Sequence, residues 1–147
     1  MQQHSIIFFD FNRTLYNPDA KRLINGARSM LRHLKKQGRI LIVISHGDAR
    51  QEAIVRKLRI ARYFTRLIFV RRKSVRLFRQ VMSAYKIMPR DCYVVGDRIR
   101  QEISIGNRIG MKTVWFRREK FSEETPRSQS EFPGKIIRTL SELERVL

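Results

Sequence analysis

Residues 6–16 read IIFFDFNRTLY. Four apolar residues, Ile6 to Phe9, end abruptly on Asp10, and a polar loop of Asn12, Arg13 and Thr14 follows at once. A short apolar run closed by such a loop reads as a strand buried on both faces. Asp10 then stands where that strand delivers a carboxylate to the edge of a sheet. The next polar side chain, two residues on, is the amide of Asn12 rather than a second acid. That difference bears on whether the chain turns over a substrate.

The same grammar repeats along the chain. Apolar runs of strand length recur at Ser5–Asp10, Arg39–Ser45, Leu67–Val70, Cys92–Gly96 and Lys112–Phe116. Helical stripes lie between them: Leu23, Ala27, Met30, Leu31 and Leu34, stopped by Gly38; Ile54, Val55, Leu58 and Ala61; Val75, Phe78, Val81, Met82 and Tyr85, opened by Ser74 as an N-cap; and Ile99, Ile103, Ile105 and Ile109, ended near Gly110. Alternating strands and helices predict a parallel sheet covered on both faces. The stretch REKFSEETPRSQSEFPGK, residues 118–135, is polar with two prolines and reads as a surface loop before a final helix over Leu140–Leu147. No internal repeat is present.

Composition sets the bounds. A chain of 147 residues, 42% of them hydrophobic, suits one globular domain and argues against disorder. No apolar stretch approaches the roughly 18 residues of a membrane span, and MQQHS lacks the features of a secretory signal. The single cysteine, Cys92, has no internal disulfide partner and lies in an apolar run, so it reads as a buried thiol. A soluble protein of the reducing cytoplasm is the plain expectation. The formal charge of +19 is unevenly placed. Between Arg50 and Arg90 the only acid is Glu52, whereas acids gather between Glu119 and Glu144. A basic middle predicts a polyanion partner such as nucleic acid or a phosphorylated substrate, against the plainer reading of a solvated, arginine-rich surface.

In a parallel sheet ligands bind beyond the carboxyl ends of the strands. Asp10 ends the first strand, Ser45 the second, Lys73 follows the third, and Gly96-Asp97 ends the fourth. Two carboxylates, a hydroxyl and an ammonium thus meet on one rim. Asp10 and Asp97 can share a hard divalent cation, best Mg²⁺. Lys73 and Ser45 can hold phosphate oxygens. Such a set suits phosphoryl transfer, where positioning and charge stabilisation do most of the work. Arg71 and Arg72 compete with Lys73 for its role. Glu102 reads most simply as a helix-surface acid, and His4 and His33 as structural residues. Trp115 and Phe116 read as core.

These motifs resemble the haloacid dehalogenase-like (HAD) superfamily of phosphohydrolases. DFNRTL is similar to its first motif, Asp-x-Asp-x-Thr; VISHG to the second; RRKSVRLF carries the third-motif lysine; VVGDRIRQEI, followed by GNRIGMKTVWF, resembles the fourth. The resemblance covers essentially the whole chain. It implies a single Rossmann-like three-layer α/β domain over residues 1–147, with a central, mostly parallel five-stranded sheet. It also implies Asp10 as nucleophile, Thr14 as loop support, Ser45 and Lys73 on phosphate, and Mg²⁺ on Asp10, Asp97 and the backbone carbonyl of Asn12; His46, beside Ser45 on the rim, is a further candidate for the phosphate. Glu102 stands where a second acid often appears. In the family an aspartate at the position of Asn12 protonates the leaving group and then activates water. An amide cannot, which removes acid–base help worth about 10²–10⁴ in rate. His46 is the candidate substitute, against the plainer reading of a polar loop residue.

Leu15–Gly38 and His46–Arg66 each leave room for one helix and no cap domain. An open site suits a large or polyanionic substrate, or closure by a second subunit of a homo-oligomer. Three classes follow: a slow Mg²⁺-dependent phosphatase, a catalytically impaired phosphate-binding relative, and a basic nucleic-acid-binding module.

Overall fold

A computed structural model describes residues 5–118 and 120–147. His4 and Glu119, both named above, lie outside the described residues, as does most of MQQHS. In chain order the elements are β1 (Ile6–Phe9), β2 (Tyr16–Asn17), β3 (Arg22–Leu23), α1 (Ala27–Lys36), β4 (Ile40–His46), α2 (Ala49–Lys57), β5 (Arg66–Val70), α3 (Val75–Ala84), β6 (Cys92–Gly96), α4 (Ser104–Ile109), β7 (Lys112–Phe116), β8 (Lys135–Ile137) and α5 (Leu143–Val146).

One six-stranded sheet runs in the order β5-β4-β1-β6-β7-β8, and every neighbouring pair is parallel. The sheet has one strand more than the five expected. β8 follows the polar stretch and pairs along β7, Trp115 opposite Ile136. It escaped notice because it is three residues long and its Ile136 is half-exposed at the sheet edge.

β1 lies at the centre, between β4 and β6. Its four side chains are wholly buried, each contributing about 1.5–3 kcal/mol of apolar transfer free energy. Alternation divides them. Ile7 and Phe9 join Leu31 and Leu34 of α1, Val55 of α2 and Leu143 of α5; Ile6 and Phe8 join Phe78 and Val81 of α3 and Ile105 and Ile109 of α4. Three layers result.

Local signals explain the helix ends. Ser74 caps α3, its hydroxyl accepting from the Leu77 amide at 3.1 Å. Asp48 and Gln51 form a capping box on α2. Gly110 ends α4 at φ 86°, a conformation that favours glycine. Other expected boundaries move. Leu23 belongs to the small β2–β3 pair and α1 begins only after Gly26. Ala61 lies in a 3₁₀ turn beyond α2, and the final helix starts as a 3₁₀ turn over Leu140–Glu142.

Between β1 and β4 stand only β2, β3 and α1, and between β4 and β5 only α2 and a 3₁₀ turn; among the described residues no cap domain covers the rim. No helix of the described residues is long and apolar enough to cross a membrane. Cys92 is buried and unpaired, its thiol pushed up to about 11 by burial.

Candidate active site

The strand order reverses about β1, and the crevice at that switch point is where a doubly wound sheet binds its ligand. Asp10 leaves β1 there, its amide donating to the Val95 carbonyl at 3.0 Å. Ser45, near the end of β4, is buried; its hydroxyl donates to Asp10 Oδ1 at 2.8 Å and accepts from the Phe11 amide at 3.2 Å. Lys73, in the turn after β5, donates from Nζ to the same Oδ1 at 2.9 Å and to Glu102 Oε1. Asp97 follows β6, and its backbone carbonyl accepts from the Trp115 indole at 2.9 Å. Arg71 and Arg72 are exposed, so the ammonium at the cluster belongs to Lys73.

Glu102 is not a helix-surface acid. It is 1% exposed and belongs to a π-helical turn over Ile99–Ile103 that precedes α4. Gly96 makes room for it: a Cβ there would lie 2.7 Å from Glu102 Cγ. The missed signal was its place three residues after Ile99, inside the apolar stripe rather than opposite it.

Three carboxyl groups therefore face one ammonium, with ligand atoms of Asp10, Asp97 and Glu102 all within 4.8 Å of one another. The excess negative charge shows in the proton affinities. For Asp10, burial raises the proton affinity, but the Lys73 charge and hydrogen bonds from Asp97, Lys73 and Ser45 outweigh it, and its carboxyl stays ionised below the ordinary range. Asp97 is pushed up to about 10, first by burial and then by the Asp10 and Glu102 charges. Glu102 is raised by burial more than Lys73 lowers it. Lys73 holds its proton above the usual lysine range: burial opposes this, but Asp10 and Glu102 prevail. Glu102 Oε2 is buried without a hydrogen-bond partner. An oxygen-only donor set with surplus negative charge and an orphaned carboxylate oxygen fits a hard divalent cation such as Mg²⁺.

Thr14 is fully buried, and its hydroxyl has no partner. Asn12 is half-buried in the loop after β1, its backbone bridged to Tyr16. His46 is exposed and engages the Arg71 carbonyl through Nδ1 at 2.9 Å. It lines a pocket of about 490 Å³ beside Lys73, with Arg71, Arg72, Arg100 and Arg108. His33 lies away from the site on α1, near Gln37 and Glu144.

The polar stretch 118–135 is more than a surface loop. Its Glu124 and Glu131 turn inward to Arg98 and Arg100 at 3.5–3.7 Å, and Ser130 and Phe132 accept from Asn107. It thereby straps the π turn and α4.

Fold and site together define a Rossmann-like α/β domain with a carboxylate–lysine centre at its topological switch point. Residues 70–143, half of the chain, match the HAD-hydrolase-like family, and the chain belongs to that family. A glyceraldehyde 3-phosphate phosphatase of Pyrococcus furiosus is 29% identical over 132 residues, covering 86% of this chain and 55% of its own. This chain spans about half the length of the curated relatives it matches. A haloacid dehalogenase-like hydrolase from Xanthomonas campestris shares the fold at TM-score 0.82 and 11% identity, over 99% of this chain and 95% of its own. A HAD-hydrolase of Bacillus subtilis bound to magnesium does so at TM-score 0.74 and 21% identity, over 86% and 57%.

Proposed function

We propose that this chain is a Mg²⁺-dependent phosphohydrolase that works through an aspartyl-phosphate on Asp10 and is slowed by Asn12. The buried cluster carries this reading: an ionised Asp10, fixed from two sides by Ser45 and Lys73, within reach of two further carboxyls. Relatives named as phosphatases and a magnesium-bound neighbour support it. The substrate class is a phosphate monoester. A cytoplasmic location goes with this reading, as does closure of the open rim by a large substrate or a second copy.

In the first step the Asp10 carboxylate attacks phosphorus, the bond to the ester oxygen breaks, and that oxygen leaves with the electron pair. In the second, water attacks the aspartyl-phosphate, frees inorganic phosphate and restores Asp10. Lys73 faces the charge that develops on the phosphoryl oxygens. The Thr14 hydroxyl, buried and without a partner, is available to steady the loop or the phosphoryl group. Asp10, Asp97 and the Asn12 carbonyl are the proposed holders of Mg²⁺, with Glu102 beside them. The ion supplies neutralisation of the carboxylates and of the phosphoryl charge.

Asn12 can neither protonate the leaving oxygen nor take a proton from water. Leaving groups already stable as anions need little of that help, so aryl and acyl phosphates should outrun alkyl phosphates, and the aspartyl-phosphate should accumulate. The second reading, a phosphate-binding protein without turnover, is favoured by this same residue. Phosphate release from one aryl and one alkyl phosphate, with and without Mg²⁺, separates them when run beside Asp10→Asn. Metal-dependent aryl hydrolysis lost in Asp10→Asn is the expected result. Hydrolysis that survives Asp10→Asn overturns the mechanism, and none in wild type leaves the binding role.

A further inference from the structure

The pocket beside Lys73 has a charge that the phosphohydrolase reading does not use. Arg71 and Arg72 line it from the turn after β5, Arg100 from the π turn, and Arg108 from α4. Lys73 is committed to Asp10 and Glu102. Arg100 is drawn back by Glu124 and Glu131, each at 3.7 Å. Arg71, Arg72 and Arg108 have no acidic partner among the described residues. Three uncompensated guanidinium groups therefore meet at one concavity, where they repel one another unless an anion lies between them.

The volume, about 490 Å³, is that of a small-molecule site. The guanidinium fork matches phosphate oxygens two at a time, and this is the residue type that recognises phosphate with geometric selectivity. Lys73 borders both the pocket and Asp10. A ligand filling the pocket is thus next to a phosphoryl group held at Asp10.

We propose that this pocket is a second phosphate subsite, which makes the substrate a molecule with two phosphates: one attacked by Asp10, the other held by Arg71, Arg72 and Arg108. The inference rests on the phosphohydrolase reading and narrows it. Two sources supply this chemistry: a small bisphosphorylated metabolite, or a nucleic-acid end whose terminal phosphate is followed by a phosphodiester. Arg76 and Arg79 line a shallow groove along α3, the helix that begins two residues after Lys73.

The test compares matched substrates in Mg²⁺: fructose 1,6-bisphosphate against fructose 6-phosphate, and 5′-phosphorylated dithymidylate against thymidine 5′-monophosphate. The proteins are wild type, the double variant Arg71→Gln/Arg108→Gln, and Arg56→Gln as a basic control on the far side of the sheet. In at least one pair the two-phosphate substrate should have the higher kcat/KM by about tenfold, the worth of one charge-assisted contact. That preference should vanish in the double variant and persist in Arg56→Gln, and the pair that shows it names the source. Turnover without such a preference, or a preference that survives the double variant, overturns the subsite and leaves the phosphohydrolase reading intact. If none of these alkyl esters is hydrolysed, the aryl-phosphate assay above decides the phosphohydrolase reading, and calorimetric titration with the same four compounds decides the subsite. Tighter binding of a two-phosphate member, lost in the double variant, upholds it; equal binding overturns it.

Discussion

Two charged regions share the carboxyl rim of the sheet and behave differently. In the first, Asp10, Asp97, Glu102 and the Lys73 side chain are all at most 6% exposed, and burial together with the neighbouring charges sets each proton. In the second, Arg71, Arg72 and Arg108 stand in solvent around the first. Two unit charges at 4 Å interact by about 1 kcal/mol in bulk water and about 4 kcal/mol at the dielectric typical of a protein surface. The same arithmetic of charge therefore has different consequences on the two sides of a few ångströms of protein. A net charge of +19 describes the outside of this molecule; its chemistry belongs to a local surplus of acid.

The sharpest way to break that comparison is Lys73→Met. It leaves Asp10 and Glu102 buried without their ammonium, and stability should fall by about 3–5 kcal/mol, read from urea unfolding near neutral pH. A loss below about 1 kcal/mol would mean that solvent reaches the cluster and the division is false.

Next in size is Asn12→Asp. Restoring a titratable group should raise alkyl-phosphate turnover by roughly 10²-fold, measured as steady-state rates beside an aryl substrate that gains less. No gain, with wild type already fast on the alkyl ester, would move the proton transfer elsewhere, and His46 would be the first residue to replace.

Asp97→Asn probes the acid surplus directly. An acid whose proton affinity is raised on folding stabilises the fold fully below its unfolded value, near 3.8, and loses that contribution as pH climbs towards about 10. Metal-free wild type should pay this penalty across the neutral range, while the amide carries none. With a chelator present at about pH 8, Asp97→Asn should melt roughly 5 °C higher. It should also lose the stabilisation that Mg²⁺ gives wild type. A lower Tm for the variant would show that Asp97 is ionised and well paired.

The smallest effect is expected on the outer arginines of α2 and the turn beyond it. Arg56 pairs with Glu52 at 3.7 Å, and Arg62 stacks over Tyr63. A helix that follows β4 runs back towards the amino edge of the sheet, so both lie far from the cluster. Arg56→Gln should change stability by no more than about 0.5 kcal/mol in the same urea experiment.

Asp10, Ser45, Lys73 and Asp97 were legible because a buried parallel strand announces its end: an apolar run stops at a polar residue. Register then brings those ends together, and the structure joins the first three by hydrogen bonds to one oxygen. Glu102 was read as solvated because a charged residue near a helix ordinarily is; its place three residues after Ile99 hinted at burial, but only the π turn sets it beside Lys73. Among the three adjacent cations the motif singled out Lys73, and the turn aims Lys73 at the cluster while Arg71 and Arg72 stay exposed. β8 and the β2–β3 pair were too short to show a period. The strap over residues 118–135 read as loop because its inward acids, Glu124 and Glu131, are matched by arginines some twenty to thirty residues earlier in the chain.

Trp115 is the chain's single tryptophan. Its indole is 3% exposed, donates to the Asp97 carbonyl, and lies under the Arg117 guanidinium 5.0 Å from the ring centroid. The protein thus carries an optical gauge wired to one residue of its acid cluster. Its emission comes from one place, with no second indole to dilute it, so colour and intensity should follow any shift that a proton or cation at the Asp97 side chain passes to its backbone carbonyl, without any label.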